Sequence, residues 1–231
     1  MSESWREHLA DSAPEPVDDP GGPVLVVSAH PDDEVLAIGA WLSSQRDRDL
    51  TFVTVTDGEA SHPDSPTMTA DDLRSARPAE LTDALHLLGI ESPVIHRLGI
   101  SDGEISSERE TLLLALRPFV AAAGLVLGPY RHDGHPDHDA VGSALAELCG
   151  RHTTLWEFPI WTWAWTVPGT HPATGSMRCL PGSDDDRVSK RRAVAAFTTQ
   201  VRPLSDDPAD RAVVDGPLLE HAEHAPEVVL A

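Results

Sequence analysis

An α/β fold with a mostly parallel sheet and helices on both faces follows from two features of the chain. Short β-rich apolar runs alternate with helix-period segments from Val24 to Cys149, and turn residues punctuate each junction. With 231 residues, 40% of them hydrophobic, the chain can bury one large core.

Residues 1–22 are rich in Asp, Glu, Pro and Ser, a composition that buries little apolar surface, and are expected to form a flexible acidic arm. Residues 23–231 are read as a single domain. Val24–Ser28 is the first strand, and Glu34–Arg46 the first helix. Leu50–Thr56 is the second strand, and a long helix runs from about Met68 to Leu88, where Gly89 ends it. A short strand follows at Val94–Leu98. Ser107 and Glu110 then stand at capping-box spacing before an apolar helical series. Gly124–Pro129 is a strand ending in turn residues, a His-rich loop follows it, and Pro136–Cys149 opens with the Pro that a first helical turn tolerates. Beyond Gly150 the pattern loosens. "TTLWEFPI" reads as a strand, "DDDRVSKRRAVAAFTTQ" as a helix with acidic residues early, and "PEVVLA" as a closing edge strand.

Charge narrows the function classes. Asp and Glu number 38 against 17 Lys and Arg, and the net charge of −21 argues against holding a nucleic-acid backbone. Two cysteines make neither a disulfide scaffold nor a cysteine-rich zinc site, which fits a reducing cytoplasm. No secretory leader and no apolar run of the ~18 residues that a membrane span needs is present.

Ligands of open α/β sheets gather where strands end and helices begin. Two such junctions carry related elements: "AHPDDE" at Ala29–Glu34, and "GPYRHDGHPDHDA" at Gly128–Ala140. Asp32, Asp33 and Glu34 alone read equally well as a helix cap that complements the dipole. That reading leaves His30 unexplained, and with it a second loop where His132, His135 and His138 interleave with Asp133, Asp137 and Asp139. Imidazoles and carboxylates together suit a catalytic zinc, with three protein ligands and one position open to water.

These residues resemble the zinc-dependent N-deacetylases of the LmbE and PIG-L type, marked by AHPDDE early and HPDH later. The likeness extends to "VTDGE", "RPAELTDALHLLGI" and "LGISDGEI". It implies a Rossmann-like, LmbE-like sheet with His30, Asp33 and His138 as metal ligands, and Asp32 as the base that deprotonates water and returns the proton to the leaving amine. His135, as an imidazolium, would stabilise the oxyanion. Asp137, ahead of Asp139, is placed to compensate that charge. Arg77 and Asp102 match positions that approach substrate, although Arg77 equally suits a surface pair with Glu80. The sequence departs from the pattern in one place: Asp133 stands where some relatives have a tyrosine, and Tyr130 lies three residues earlier.

The implied cofactor is Zn²⁺, with Fe²⁺ as the other ion such donors hold. The implied reaction removes the N-acetyl group from an N-acetylated amino sugar or glycoconjugate, which is the small-molecule partner. The alternative is an amidase that cleaves a larger acyl group from a thiol or natural-product conjugate. A non-catalytic metal- or ligand-binding module fits less well, because a structural zinc normally takes four protein ligands. A homo-oligomer stays open, as does the role of Trp161, Trp163 and Trp165. Their alternation puts them on one face of an extended chain, either buried or lining a pocket mouth.

Overall fold

A computed structural model describes residues 4–151, 153–168 and 176–231. Its centre is a seven-stranded sheet in the order β3-β2-β1-β4-β5-β7-β6. The strands are β1 (Val24–Ser28), β2 (Leu50–Thr54), β3 (Val94–Arg97), β4 (Leu125–Pro129), β5 (Thr154–Phe158), β6 (Met177–Cys179) and β7 (Val228–Leu230). The first five run parallel. β7 runs antiparallel to both of its neighbours.

Successive side chains of a strand point to opposite faces, and the apolar runs use both. Val24, Val26 and Phe52 enter one core layer with Trp41, Leu81 and Trp156. Leu25, Val27 and Val53 enter the other, with Leu112, Leu116 and Leu145. The first layer is covered by α1 (Trp5–Ser12), α2 (Asp33–Ser44), α3 (Ala70–Leu87), α7 (Asp184–Val194) and α9 (Gly216–His224). The second is covered by α4 (Arg109–Ala122) and α5 (Pro136–Cys149). Two short α-helices, α6 (Thr162–Trp165) and α8 (Thr198–Val201), and a 3-10 helix at Pro208–Asp210 accompany them. No helix among these residues is long and apolar enough to cross a membrane.

Four elements differ from the sequence expectations, one being the helix expected over "DDDRVSKRRAVAAFTTQ", which ends at Val194 and resumes as the separate α8. Within the supposed acidic arm, residues 5–12 are helical: Ser4 and Glu7 form a reciprocal capping box, and Trp5 and Leu9 are buried. Two apolar residues four apart anchor a helix that average composition hides; residues 1–3 of that arm lie outside the described residues. The expected capping box at Ser107 does not form. Its hydroxyl donates to the Glu104 carbonyl, and α4 begins after Glu108. β7, expected at an edge, lies inside the sheet between β5 and β6, as its three consecutive buried residues require.

Helix α2 is interrupted. Ile38 has φ −130° and ψ 23°, which frees the amides that follow it. The Glu227 carboxylate, arriving just before β7, accepts from Ala40 N–H and Trp41 N–H, each at 2.8 Å. Lys190 Nζ lies 2.7 Å from the same carboxylate and neutralises it.

In α9, the His221 ring stacks on Trp163 at 4.3 Å. Burial, and secondarily the Lys190 charge, lower its pKa to about 3. The unfolded chain therefore binds a proton below about pH 6.5 that the folded chain refuses until near pH 3, so this residue removes stability as pH falls through that window. Replacing it with an aromatic that does not titrate removes the penalty. His221→Phe is expected to lose about 1–2 kcal/mol less unfolding free energy than the parent between pH 7 and pH 5, measured by urea denaturation at both pH values.

Candidate metal centre and catalytic pocket

The strand order reverses between β1 and β4, which opens a crevice at their carboxyl ends. Both His-Pro-Asp elements emerge there. The first leaves β1 and enters α2 at Asp33; the second leaves β4 and enters α5, with His135 as N-cap and Pro136 in the first turn. Gly142 lets α5 sit against the end of β4, because a Cβ there would fall 2.4 Å from the Pro129 carbonyl oxygen.

Three donor atoms converge in this crevice. His138 Nε2 lies 3.3 Å from both His30 Nδ1 and Asp33 Oδ1. His30 Nδ1 lies 3.7 Å from Asp33 Oδ2. The other nitrogen of each ring is engaged by a carboxylate: His138 Nδ1 donates to Asp133 Oδ2 at 2.8 Å, and His30 Nε2 to Asp102 Oδ1 at 3.1 Å. Those bonds fix both tautomers, so in the neutral rings two lone pairs and a carboxylate oxygen face one another with no hydrogen between them. Only positive charge relieves that arrangement, and a buried dication fits the set. The surroundings already invite it. Burial opposes charge on His138, yet Asp33 and Asp133 raise its pKa to about 9. Burial would likewise raise Asp33, but His138 and His30 hold it well below the carboxylate range.

A second triple, His30, His135 and Asp137, is as compact but less available. Asp137 Oδ2 accepts from Gly103 N–H at 2.8 Å, and His135 Nδ1 from Asp137 N–H at 3.3 Å.

None of the three consecutive acids of "DDE" merely caps a helix. Asp32 is the N-cap residue of α2, but its side chain makes no capping bond. It accepts instead from Arg77 Nη2 at 3.0 Å. Burial raises its pKa while the guanidinium charge restrains the rise. Asp33 Oδ1 faces His138. Glu34 is enclosed completely enough that burial, before all else, lifts it to about 8, so it is neutral at pH 7.

Arg77 is buried and spans from Asp32 to the Gly58 carbonyl, where Nη1 donates at 2.7 Å. It does not pair with Glu80, which accepts from Thr198 and Thr199. Gly58 has φ +69°, and a Cβ on it would lie 1.9 Å from Arg77 Nη1, so the glycine of "VTDGE" is the bed of this guanidinium.

His135, expected as an imidazolium, meets conditions that favour the neutral ring. Burial and then the neighbouring His138 and His30 lower its pKa to about 4. With Nδ1 accepting, it carries its proton on Nε2 as a neutral donor. Asp137, placed to compensate that charge, supports Gly103 N–H and stands 3.5 Å from His30 Nε2. Asp102 bridges His30 and Ala60 N–H and also lines the pocket, as Arg77 does. Tyr130 packs into the core cluster, and His132 is exposed.

Asp133 is the residue that sequence reasoning undervalued. Besides His138, it accepts from the N–H groups of Ile160, Trp161 and Thr162, each at 2.9 Å, and from Thr162 Oγ1 at 2.7 Å. This carboxylate winds residues 162–165 into α6, so the tryptophans take helical rather than extended spacing. Trp161 and Trp165 stack at 4.6 Å, and Trp161 lies parallel to His135 at 6.0 Å. Trp163 turns to the core beside Trp5 and His221. The legible signals of Asp133 were its place among the three acids of the His-rich loop and its standing where some relatives have a tyrosine.

The crevice is a cavity of about 220 Å³. His30, Asp32, Asp33 and His135 form one wall. Ile160, Trp161, Val213, Val214 and Leu218 form the other, with Gln200 as its polar member.

Comparison with known proteins locates the likeness. The family described as PIG-L, GlcNAc-PI de-N-acetylase, matches residues 25–149. A probable N-acetyl-alpha-D-glucosaminyl L-malate deacetylase 2 of Bacillus anthracis is 33% identical over 54% of this chain and 58% of its own length. A 1D-myo-inositol 2-acetamido-2-deoxy-alpha-D-glucopyranoside deacetylase of Mycolicibacterium gilvum is 28% identical over 62% of this chain and 59% of its own. The chain thus spans under two thirds of these curated relatives. The zinc-inhibited form of a teicoplanin deacetylase shares the fold at 19% identity, with a TM-score of 0.63 over 90% of this chain and 96% of that one.

Asp133→Ala frees the His138 tautomer and releases α6. Affinity for a divalent metal ion is expected to fall about 10–100-fold in a competition titration against a chelator; unchanged affinity would assign Asp133 to the tryptophan wall alone.

Proposed function

Because the chain belongs to the PIG-L family of de-N-acetylases, we propose that it is a zinc-dependent hydrolase that removes the N-acetyl group from an N-acetylated amino sugar or glycoconjugate. The observation that carries this reading is the juxtaposition of three converging donors with an adjacent, separately held carboxylate, all opening on one cavity.

His30, Asp33 and His138 would hold the ion, which when bound supplies Lewis acidity to polarise the amide carbonyl and acidify water. The chain's own residues do the rest. Asp32, its pKa raised by burial and restrained by Arg77, takes the proton of the attacking water and can give it back to the departing nitrogen. The His135 Nε2–H donates to the oxygen that becomes negative as the carbonyl carbon turns tetrahedral. A neutral donor serves there without adding positive charge beside a dication. Asp102 and Asp133 keep the two ligand imidazoles in register, and Asp137 holds the Gly103 loop against His30. Trp161 lies flat against His135 and closes the pocket wall behind it.

The apolar half of the cavity favours a second reading, an amidase for a larger acyl chain that would lie on Ile160, Val213 and Leu218. Iron(II) in place of zinc is the alternative ion for the same donors. A cytoplasmic location is supported by two free cysteines.

Protein stripped by a chelator and reloaded with zinc or, anaerobically, iron(II) is expected to release amine from N-acetyl amino sugars faster than from longer N-acyl analogues. Preference for the longer chains would select the amidase, and no metal-dependent release would leave a binding module. Asp32→Asn should keep its metal and lose ~10²-fold or more in kcat; full turnover in that variant would remove Asp32 as the base.

A further inference from the structure

One polar side chain interrupts the apolar wall of the catalytic cavity. Gln200 lies in α8, outside residues 25–149, and is only 1% exposed. Its backbone carbonyl accepts from Val213 N–H and Val214 N–H, each at 2.9 Å, so the residue also holds the loop that carries two further members of that wall.

The side-chain amide of Gln200 can face only one way, because its neighbours are polarised from both ends. On one side Thr199 Oγ1 donates to Glu80 Oε2 at 2.7 Å, so that hydroxyl has only lone pairs left for Gln200, and it accepts from Nε2 at 3.0 Å. On the other side the Arg211 carbonyl oxygen, 3.1 Å from His62 Nε2, can only accept, which places the ring hydrogen on Nε2. Burial, before its other influences, lowers the His62 pKa, so the neutral ring offers Nδ1 as an acceptor, and Ser61 Oγ donates to it at 3.1 Å. Ser61 Oγ in turn accepts from Gln200 Nε2 at 3.3 Å. A carboxylate and a carbonyl thus set the direction of every hydrogen between them, and both amide hydrogens of Gln200 are engaged. Its Oε1 has no hydrogen-bond partner among the described residues and opens on the cavity that the residue lines.

We propose that Gln200 is a specificity-determining residue whose Oε1 accepts a hydrogen bond from one free ring hydroxyl of the amino sugar when the acetamide lies against Asp32 and His135. Set among Ile160, Val213, Val214 and Leu218, this oxygen is matched by a group that brings a single hydrogen. An ether, an ester or a missing hydroxyl leaves it buried and unpaired, and a carboxylate meets it as a second acceptor. A long alkyl chain laid on the same wall would cover it without a donor, so Gln200 selects the hydroxylated face of a sugar over a larger acyl group. The proposal rests on the deacetylase reading and adds to it the residue that discriminates among substrates.

The test compares the methyl glycoside of N-acetylglucosamine with its 3-deoxy, 4-deoxy and 6-deoxy analogues under steady-state conditions. With the zinc-loaded enzyme one of the three analogues is expected to lose about tenfold or more in kcat/KM. Gln200→Met, which keeps the length of the side chain and removes the acceptor, should lower kcat/KM for the full glycoside by a similar factor and leave the sensitive analogue unchanged. Thr199→Val keeps the glutamine but releases one amide hydrogen, and should reduce the ratio of full glycoside to sensitive analogue severalfold. Three analogues that all match the full glycoside, or losses from variant and analogue that simply multiply, overturn the proposal. A parent enzyme that deacetylates none of the four glycosides refutes the deacetylase reading instead. Calorimetric binding of the same four to the parent and to Gln200→Met then decides the contact: it stands if the variant weakens the full glycoside and spares one analogue, and equal weakening of all four, or binding of none, refutes it.

Discussion

One buried carboxylate ties the two halves of this protein's site into a single object. Asp133 receives a hydrogen from the ring that presents His138 Nε2 and others from the backbone of Ile160, Trp161 and Thr162. A carboxylate taken out of water must be compensated by donors, and here the donors are the His138 ring and the start of the tryptophan helix. The ligand set and the opposite pocket wall therefore cannot shift independently. Residues 25–149 carry both His-Pro-Asp elements, and residues 160–218 carry the apolar wall of the cavity opposite them.

Neighbouring acids in one turn end in three electrostatic states, and only their surroundings separate them. Asp33 faces two histidines and stays charged; Asp32 balances burial against Arg77; Glu34, enclosed without a cation, is neutral at pH 7. Adjacent side chains on a strand-to-helix turn diverge, which delivers each to a different partner. The glycine beneath Arg77 belongs to the same design, since the guanidinium reaches Asp32 only by lying across a residue without a side chain.

Much of this was legible from local pattern. Val24–Ser28 and Pro136–Cys149 were read at their observed limits, because a buried parallel strand is continuously apolar and a proline marks a first helical turn. The paired His-Pro-Asp elements announced a shared crevice through strand-end logic. What escaped the sequence depends on distant partners. The tryptophans alternate like a strand, and only a carboxylate 27 to 29 residues upstream winds them into a helix. β7 looks like a terminal edge until β6 is seen to pair outside it. The charge on His135 could not be read from the sequence, since burial and then two other histidines brought near by folding disfavour its protonated form.

The broken helix α2 has a consequence for how the protein is made. Its first turns carry Asp33, and the break after Ile38 is closed by Glu227, 187 residues beyond Ala40 in the chain. A ribosome adding roughly 5–20 residues per second makes the turn that carries Asp33 roughly 10–40 s before it delivers that carboxylate. During that interval the first histidine element already leads into a helix whose freed amides have no partner, and the second is added at the start of α5 before Glu227 is made. The interruption in α2 is thus closed only by a carboxylate made 187 residues after Ala40, and the order of the helix that follows Asp33 is linked to the arrival of a single distant glutamate.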